Sequence, residues 1–242
     1  MSMQTINFDE LKIRDNDRVL DLGCGEGRHA ITAYMLHNIQ SVGVDLSHRD
    51  LSITRDRFKE FEEPDNGNKS LFISVADGAR LPFADNSFDK VICSEVLEHI
   101  PNYRAVLREI SRVLKVGGTF AASVPRFFPE WICWRLSDAY HAAEGGHIRI
   151  FNASHLRADI EDLGFVFFRQ HHAHALHVPY WWLKCLFWRE PGAAETKIVT
   201  TYHQFLIWDL MKQPRITRFM DALLNPVMGK SVVMYFVKGQ QP

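Results

Sequence analysis

The stretch that decides the fold is RVLDLGCGEGRHA, residues 18–30. A short apolar run that contains Asp21 leads into three glycines at alternate positions, Gly23, Gly25 and Gly27. Beyond them apolar residues recur at helical spacing, beginning at Ala30. The pattern predicts a strand that turns tightly into a helix, and the glycines leave bare backbone at the joint where a ligand can approach closely.

The surroundings of the glycines narrow the choice of ligand. Their spacing is GxGxG, without the Gly-Lys-Ser/Thr with which a P-loop holds phosphates and magnesium, so a triphosphate is disfavoured. Asp21 would repel a pyrophosphate and attract a cationic group such as an amine or a sulfonium. Asp45 ends the next apolar run about 20 residues later, where a ribose-binding acid lies in nucleotide folds. We expect its carboxylate to accept from both ribose hydroxyls.

Two further segments complete an ordered set of motifs. The apolar run LFISV, residues 71–75, precedes Asp77 and Gly78, and SFDKVICSEVLEHI occupies residues 87–100. This succession resembles the class I S-adenosylmethionine-dependent methyltransferases. More narrowly, it resembles the branch with the ubiquinone and menaquinone C-methyltransferases and many small-molecule methyltransferases. The resemblance covers residues 17–125 well and residues 146–165 loosely.

Strand-like and helix-like segments alternate with short joints, which predicts an α/β fold with a parallel sheet and helices on both faces. The resemblance implies a Rossmann-like, doubly wound sheet of seven strands, with the last strand antiparallel between strands five and six. We expect the helix over residues 103–114 to stop at Gly117 and Gly118, and strand five to begin at Thr119.

The resemblance also implies S-adenosyl-L-methionine as cofactor, with S-adenosyl-L-homocysteine as product. Asp77 would hold the adenine amino group while Gly78 lets the ring lie close, and Leu46 and Ala79 are candidates to sandwich that ring. Because parallel sheets bind ligands at the carboxyl ends of their strands, Ser94 and Glu95 fall near the transferable methyl group. The expected cofactor-binding residues are Asp21, Gly23, Gly25, Gly27, Asp45, Leu46, Asp77, Gly78, Ser94 and Glu95.

Two histidines are candidate catalytic residues, His99 and His147. His99 follows the fourth strand and could take a proton from an acceptor, since the ordinary pKa of histidine lies near neutrality. The alternative is that it packs under the cofactor. His147 lies in a segment that resembles the family's Gly-His-x-Arg-x-Phe and is either structural or faces the acceptor. Methyl transfer needs an in-line approach to the sulfonium, so proximity can supply most of the catalysis.

A single domain over residues 1–242 is expected, with helical cap insertions at about 126–150 and 179–229. The caps are rich in aromatic residues, and the segment 179–189 contains PYWWLKCLFW. It is interpreted as a lid and a wall for an apolar acceptor, rather than as an interfacial membrane helix, because its Lys and Arg are few. Peripheral membrane contact through 179–189 remains an expectation if the acceptor is a lipid or a quinone.

Composition excludes several classes. A net charge of −1 gives no bulk attraction to nucleic acid. The four cysteines form no CxxC pair, which favours reduced thiols in a cytoplasmic protein over a disulfide framework or a zinc site. The first residues lack a signal-peptide pattern, and no run of about 18 apolar residues predicts a membrane span.

Four clustered histidines raise the question of a metal, and they are His171, His172, His174 and His177. On a strand, His172 and His174 would share one face and His171 and His177 the other, which splits the cluster. No Cys or carboxylate lies nearby in sequence to complete a closed site. No metal is therefore expected, and a polar acceptor pocket or a solvated strand end is favoured.

The predicted function is methyl transfer to a small or lipid-like, apolar or aromatic acceptor. One alternative is a non-catalytic module that senses the cofactor, or docks a protein or membrane, on the same fold. A dehydrogenase would also use the glycines and a ribose acid, but it gives no role to Asp77 or to the EVLEH segment. Titration with nucleotides separates these classes.

Overall fold

Seven strands form one sheet in the computed structural model, which describes residues 4–63, 69–143, 145–188 and 195–240. The strands in chain order are β1 Arg18–Leu22, β2 Gln40–Asp45, β3 Ser70–Val75, β4 Phe88–Ser94, β5 Leu114–Pro125, β6 Phe165–Ala173 and β7 Ser231–Lys238. Their order across the sheet is β3-β2-β1-β4-β5-β7-β6. β7 pairs antiparallel with both β5 and β6, which confirms the predicted place of the last strand.

Helices connect the strands on both sides of the sheet. They are α1 Phe8–Leu11, α2 Arg28–Leu36, α3 His48–Phe58, α4 Tyr103–Val113, α5 Phe127–Leu136, α6 Asp138–Ala142, α7 Ala153–Glu161, α8 Val178–Leu186, α9 Lys197–Lys212 and α10 Arg215–Met228. Polar side chains start several of them, as the sequence predicts. Ser47 accepts from the amide of Asp50 at the start of α3, and Asn152 accepts from two amides at the start of α7.

The central strands are buried on both faces, as expected for parallel strands with helices on either side. Leu20 and Val91 belong to the cluster packed against α4, whereas Val19 and Ile92 belong to the cluster that includes Ala33 of α2. Adjacent strand residues thus point to opposite cores. The sheet is held rigidly, and its carboxyl edge is a fixed platform for the loops that follow β1, β2 and β4.

The predicted glycine stop of α4 is wrong. The helix ends at Val113, and the chain enters β5 at Leu114, so Gly117 with φ 77° lies inside the strand. The reason is a distant side chain: the Lys238 ammonium donates to the carbonyl oxygens of Ser111 and Leu114, at 2.7 Å each. A cation at a helix C-terminus satisfies carbonyls that lack an intrahelical partner, so the helix needs no glycine there.

The two insertions are helical. Residues 126–150 contain α5 and α6, and residues 179–229 contain most of α8 and all of α9 and α10. They contact each other through the Trp182 indole, which donates to the carbonyl of Pro129 at 3.1 Å. Among the helices that the structure describes, none is long and apolar enough to cross a membrane.

Replacing Lys238 with Met keeps the side-chain length and removes the ammonium from the end of α4. We expect the free energy of unfolding to fall by about 1–3 kcal/mol, because two buried carbonyl oxygens lose their donor. Lys115→Met is the matched control; it breaks a half-exposed ion pair with Asp89 and should cost less than about 1 kcal/mol. Urea denaturation measures both, and equal losses would contradict the role of Lys238.

Candidate cofactor and acceptor site

The glycine joint after β1 combines two structural glycines with one open position. All three glycines are left-handed, with φ 71° at Gly23, 51° at Gly25 and 80° at Gly27. A Cβ at Gly23 would lie 2.3 Å from the Val96 side chain, and one at Gly27 would lie 2.5 Å from Thr54. No described atom lies within 4 Å of a Cβ built at Gly25. Space for a ligand is therefore available at Gly25, whereas the other two glycines permit close packing.

Asp45 ties the glycine joint to the end of β2. One carboxylate oxygen accepts from the amide of Gly25 and the other from the amide of Ser47, both at 2.8 Å. A carboxylate oxygen has a second lone pair, so each can accept one more donor. The side chain is half-buried and held at both oxygens, so the two acceptors have fixed positions. The structure thus places Asp45 beside Gly25, as the spacing predicts.

Asp21 is more deeply buried than we expect of an acid that contacts a ligand directly. Its side chain is almost fully enclosed, and one oxygen accepts from the amide of Ala30 in the first turn of α2 at 2.9 Å. Burial raises the pKa of Asp21 to about 7, although the Ala30 bond and the charge of Arg28 act in the opposite direction. The carboxyl group therefore supports the start of α2 directly and can act on a bound cation through the low-dielectric interior.

The predicted adenine end is open to solvent. Asp77 is exposed, and one of its oxygens accepts from the amide of Ala79 at 2.9 Å, so the side chain forms a local turn. Gly78 is buried, and a Cβ there would lie 3.1 Å from Leu22. Leu46, after β2, is exposed and free to cover an aromatic ring. The geometry brings Asp77 and Gly78 to the carboxyl edge and leaves their adenine roles as a prediction.

The loop after β4 holds a strained glutamate. Glu95 has φ 57°, a left-handed conformation that costs a non-glycine residue energy and that clusters at functional sites. Its carboxylate accepts from the Ser123 hydroxyl at 2.9 Å and lies 3.6 Å from the Lys230 ammonium. The Ser94 and Ser123 hydroxyls form a hydrogen bond of 2.8 Å. These contacts fix Ser94 and Glu95 at the end of β4, where the sequence predicts the methyl group.

The 3₁₀ turn Leu97–His99 places Glu98 and His99 next to His147. Glu98 is completely buried, and burial together with the charge of Glu95 raises its pKa well above the ordinary value. The rings of His99 and His147 lie edge to face with centroids 5.0 Å apart. Burial and the neighbouring His147 lower the pKa of His99. The structure therefore brings together the two histidines that the sequence singles out 48 positions apart.

Glu130 of α5 completes this cluster, and sequence reasoning missed it. Its buried carboxylate accepts from His147 Nδ1 at 2.6 Å and from the Trp134 indole at 3.1 Å. The Tyr140 hydroxyl donates to it at 3.4 Å. Although burial opposes ionisation, the bond and charge of His147 hold the pKa of Glu130 below its ordinary value. No sequence motif marks Glu130, because only the packing of α5 brings it to His147.

Aromatic side chains of the caps lie over the cluster. The Tyr140 ring is 6.0 Å from His147 and 6.0 Å from Trp181 of α8. The Lys230 ammonium lies 5.6 Å from the centre of the Trp181 ring. On α8, Tyr180 and Cys185 are buried, and Trp181 and Trp182 are half-buried. This arrangement favours α8 as a lid and acceptor wall.

The histidine cluster near β6 ties the N-terminal segment to the sheet. The strand ends at Ala173, and His174 turns left-handed with φ 67°, so the predicted shared strand face of His172 and His174 is wrong. His174 Nε2 shares a hydrogen bond of 3.2 Å with the Thr5 hydroxyl, and its ring lies 5.7 Å from His177. His171 Nε2 donates to the Thr5 carbonyl at 3.3 Å. His172 Nε2 lies 3.5 Å from the Gln170 amide nitrogen, so all four histidines have local structural contacts.

Comparison with known proteins places this geometry in a family. Residues 20–122 match the family described as "Methyltransferase domain". This part of the chain is therefore similar to methyltransferase domains. The match includes the glycine joint, Asp45, Asp77 and the loop after β4, and it ends within β5.

Two curated relatives illustrate what the chain is similar to in sequence. One is the 27-O-demethylrifamycin SV methyltransferase of Amycolatopsis mediterranei, 34% identical over 111 residues, or 46% of this chain and 39% of that protein. Another is the sterol 24-C-methyltransferase of Kluyveromyces lactis, 31% identical over 138 residues, or 57% of this chain and 34% of that protein. The chain thus spans well under half the length of the curated relatives it matches.

Solved structures show the same fold over nearly the whole chain. The [4+2]-cyclase SpnF has a TM-score of 0.65 at 19% identity, over 96% of this chain and 78% of its own. A Bacillus halodurans structure named as a methyltransferase has a TM-score of 0.65 at 18% identity, over 96% of this chain and 97% of its own. These likenesses extend the fold beyond the matched domain and confirm the predicted architecture.

Gly23→Ala and Gly25→Ala separate packing from conformation at the glycine joint. Both place a Cβ on a left-handed residue, but only Gly23→Ala drives it into the Val96 side chain. We expect Gly23→Ala to lower the free energy of unfolding by about 2–4 kcal/mol and Gly25→Ala by about 1 kcal/mol. Chemical denaturation measures the two values. A loss at Gly25 equal to that at Gly23 would contradict the assignment of open space to Gly25.

Proposed function

We propose that the protein is an S-adenosylmethionine-dependent methyltransferase acting on a small or lipid-like, apolar or aromatic acceptor. The observation that carries the proposal is the Asp45 carboxylate, fixed beside the open backbone of Gly25 at the carboxyl edge of the sheet. This is where an open α/β sheet binds its ligand. The family of the matched domain and the names of its relatives support the reaction type.

The cofactor would lie across the ends of β1, β2 and β4. In this proposal Gly23, Gly25 and Gly27 line its methionine end, and Asp21 acts on its positive charge. Asp45 accepts from the ribose hydroxyls, and Asp77, Gly78 and Leu46 surround the adenine. Ser94 and Glu95 border the methyl group. S-adenosyl-L-homocysteine, which keeps the adenine and ribose, would bind to the same residues.

The acceptor would lie between the caps and the end of β4. We take residues 1–242 as one domain whose insertions, 126–150 and 179–229, cover the cleft. Tyr140 and Trp181 offer aromatic surface there. His99 and His147 face the same space and are proposed to act on the acceptor rather than on the cofactor. A relative named for a rifamycin and another named for a sterol both fit a bulky apolar acceptor.

A non-catalytic module is the alternative in a different class. The same fold occurs in a protein named as a [4+2]-cyclase, so fold alone does not establish methyl transfer. The acids Asp21, Asp45 and Asp77 and the open glycine joint argue against a non-catalytic module, because a module that only docks a partner would not need them. Nucleic acid is not proposed as a substrate, because the net charge of −1 offers no attraction to phosphates.

We propose a cytoplasmic location with peripheral membrane contact for a lipid-like acceptor. The four cysteines are free and buried, which fits a reducing compartment. The exposed apolar surface favours α10 over the segment 179–189 as the site of membrane contact. On α10 it forms one stripe at helical spacing, Ile216, Phe219, Leu223 and Val227. Arg215 and Arg218 are exposed beside the stripe and would attract anionic lipid.

Calorimetry with purified protein tests the cofactor. We expect saturable binding of S-adenosylmethionine and S-adenosylhomocysteine and none of NAD. Asp45→Ala should weaken both by at least about tenfold, since charged hydrogen bonds of this kind are worth roughly 1.5–3 kcal/mol. Asp56→Ala, on the exposed side of α3, is the matched control and should bind as the wild type does. No binding of either ligand to the wild type would overturn the proposal.

Vesicle cosedimentation tests the membrane surface. The double variant Phe219→Ser and Leu223→Ser should reduce binding to anionic vesicles at least threefold, because it removes two exposed apolar side chains from the stripe. Leu186→Ser, on the exposed end of α8, should leave binding unchanged. If Leu186→Ser lowers binding and the α10 variant does not, the contact lies in 179–189 instead.

A further inference from the structure

The Glu98 side chain is buried beside His99 and His147. It follows β4 in the 3₁₀ turn Leu97–His99, and its exposed fraction is 0%. Neither carboxylate oxygen has a hydrogen-bond partner among the residues that the structure describes. The Lys230 ammonium, which acts on Glu98 through space, makes its ion pair with Glu95. Burying a carboxyl group without a hydrogen-bond partner costs free energy, so the two Glu98 oxygens are candidate ligand atoms.

Two imidazoles complete one side of the site. His99 Nδ1 donates to the carbonyl of Gly146 at 3.3 Å, and His147 Nδ1 donates to Glu130 at 2.6 Å. When a histidine ring is neutral and donates from Nδ1, its lone pair lies on Nε2. Histidines that bind metals commonly use this arrangement, in which the second nitrogen donates to a carbonyl or a carboxylate. Glu130 and Gly146 thus orient the two Nε2 atoms for coordination.

We propose that Glu98, His99 and His147 bind a divalent transition-metal ion. One ligand atom from each residue lies within 4.8 Å of the other two, and His99 Nε2 is 4.0 Å from a Glu98 oxygen. Around an ion with bonds of about 2.1 Å, donor atoms lie roughly 3–3.5 Å apart, so the three side chains close inward by roughly 1 Å. The ion supplies the charge that the Glu98 carboxylate lacks.

The donor set points to the class of ion. Two imidazoles and one carboxylate suit zinc and iron, and they suit cobalt as a spectroscopic substitute, better than magnesium or calcium, which prefer oxygen ligands. Three protein ligands also leave coordination positions open for water or a ligand oxygen. The Tyr140 ring lies edge to face with His147, with centroids 6.0 Å apart, and in the proposed function this is the side from which an oxygen of the methyl acceptor would reach the ion. The binding of the ion itself does not depend on the proposed reaction.

This site differs from the one that the sequence draws attention to. The sequence predicts no metal for this protein, and the residues it weighs are the histidines near β6, where His174 and His171 contact Thr5. Glu98, His99 and His147 are the group of possible ligands that the described residues bring together. A different state of the same cluster is a protonated Glu98 with a trapped water, which requires several polar partners. That state predicts no affinity for metal, so titration distinguishes the two.

The experiment is a titration of the metal-free full chain with Co²⁺ and Zn²⁺ in the absence of S-adenosylmethionine. Calorimetry gives affinity and stoichiometry, and the visible spectrum of Co²⁺ reports its ligands. We expect one equivalent to bind. Glu98→Gln and His147→Asn should each lower the affinity by at least about 100-fold. Glu130→Gln removes only a group that orients His147 and should lower it roughly 10–100-fold.

Matched controls locate the ion. His155→Asn, on the exposed side of α7, should bind metal as the wild type does. His174→Asn tests whether the histidines near β6 bind the metal instead, and we expect this variant to keep the wild-type affinity for metal. Metal should raise the Tm of the wild type but not of Glu98→Gln, because only a protein that binds the ion is stabilised by it. The Tm of each variant without metal shows whether it is folded.

Two results would overturn the proposal. One is no stoichiometric binding to the wild type, and the other is binding that survives Glu98→Gln but is lost in His174→Asn. Failure here is separate from failure of the proposed function. Loss of metal binding with intact S-adenosylmethionine binding would remove only the metal site, whereas metal binding without cofactor binding would leave the site and remove the methyltransferase.

Discussion

The hydrogen bonds that Asp45 accepts hold the functional edge of the molecule together. One side chain joins the glycine joint after β1 to the first residues after β2, at 2.8 Å to each amide. Those two strands are neighbours in a sheet buried on both faces, so the joint cannot drift without breaking the sheet. The loop therefore keeps its shape before any ligand arrives, and binding need not supply the entropy of ordering it.

Acidic groups crowd the carboxyl ends of β1 and β4, and their environments differ. Asp21 is buried on a helix amide, Glu95 pairs with Lys230, and Glu130 holds His147. Neither oxygen of Glu98 has a hydrogen-bond partner within the part of the chain that the structure describes. Burial of several carboxyl groups near one cationic side chain creates a field that favours positive charge. A sulfonium and a metal ion are both species that such a field attracts.

The sequence predicts the cofactor half well because its signals are local. Apolar runs bounded by turns predict β1 to β4, and the spacing from the glycines singles out Asp45, which the structure places beside Gly25. The end of α4 was predicted wrongly because it depends on Lys238, which lies 124 residues from Leu114. Glu130 was missed for the same reason, because its contact with His147 joins residues 17 positions apart, and no local pattern marks the burial of Glu98. Local pattern finds residues that act through backbone geometry, whereas long-range packing assembles the acceptor side.

The antiparallel placement of β7 determines which segment of such a protein can be replaced during evolution without disturbing the sheet. Ala173 at the end of β6 and Ser231 at the start of β7 are paired across the sheet, so the chain leaves and re-enters at one point. All of α8, α9 and α10 lies between these two residues. Their replacement by a segment of different length would leave the strand register intact, since the cost of closing a loop grows only slowly with its length. The fold thus separates the three helices between β6 and β7 from the sheet edge at which Asp45 lies beside Gly25.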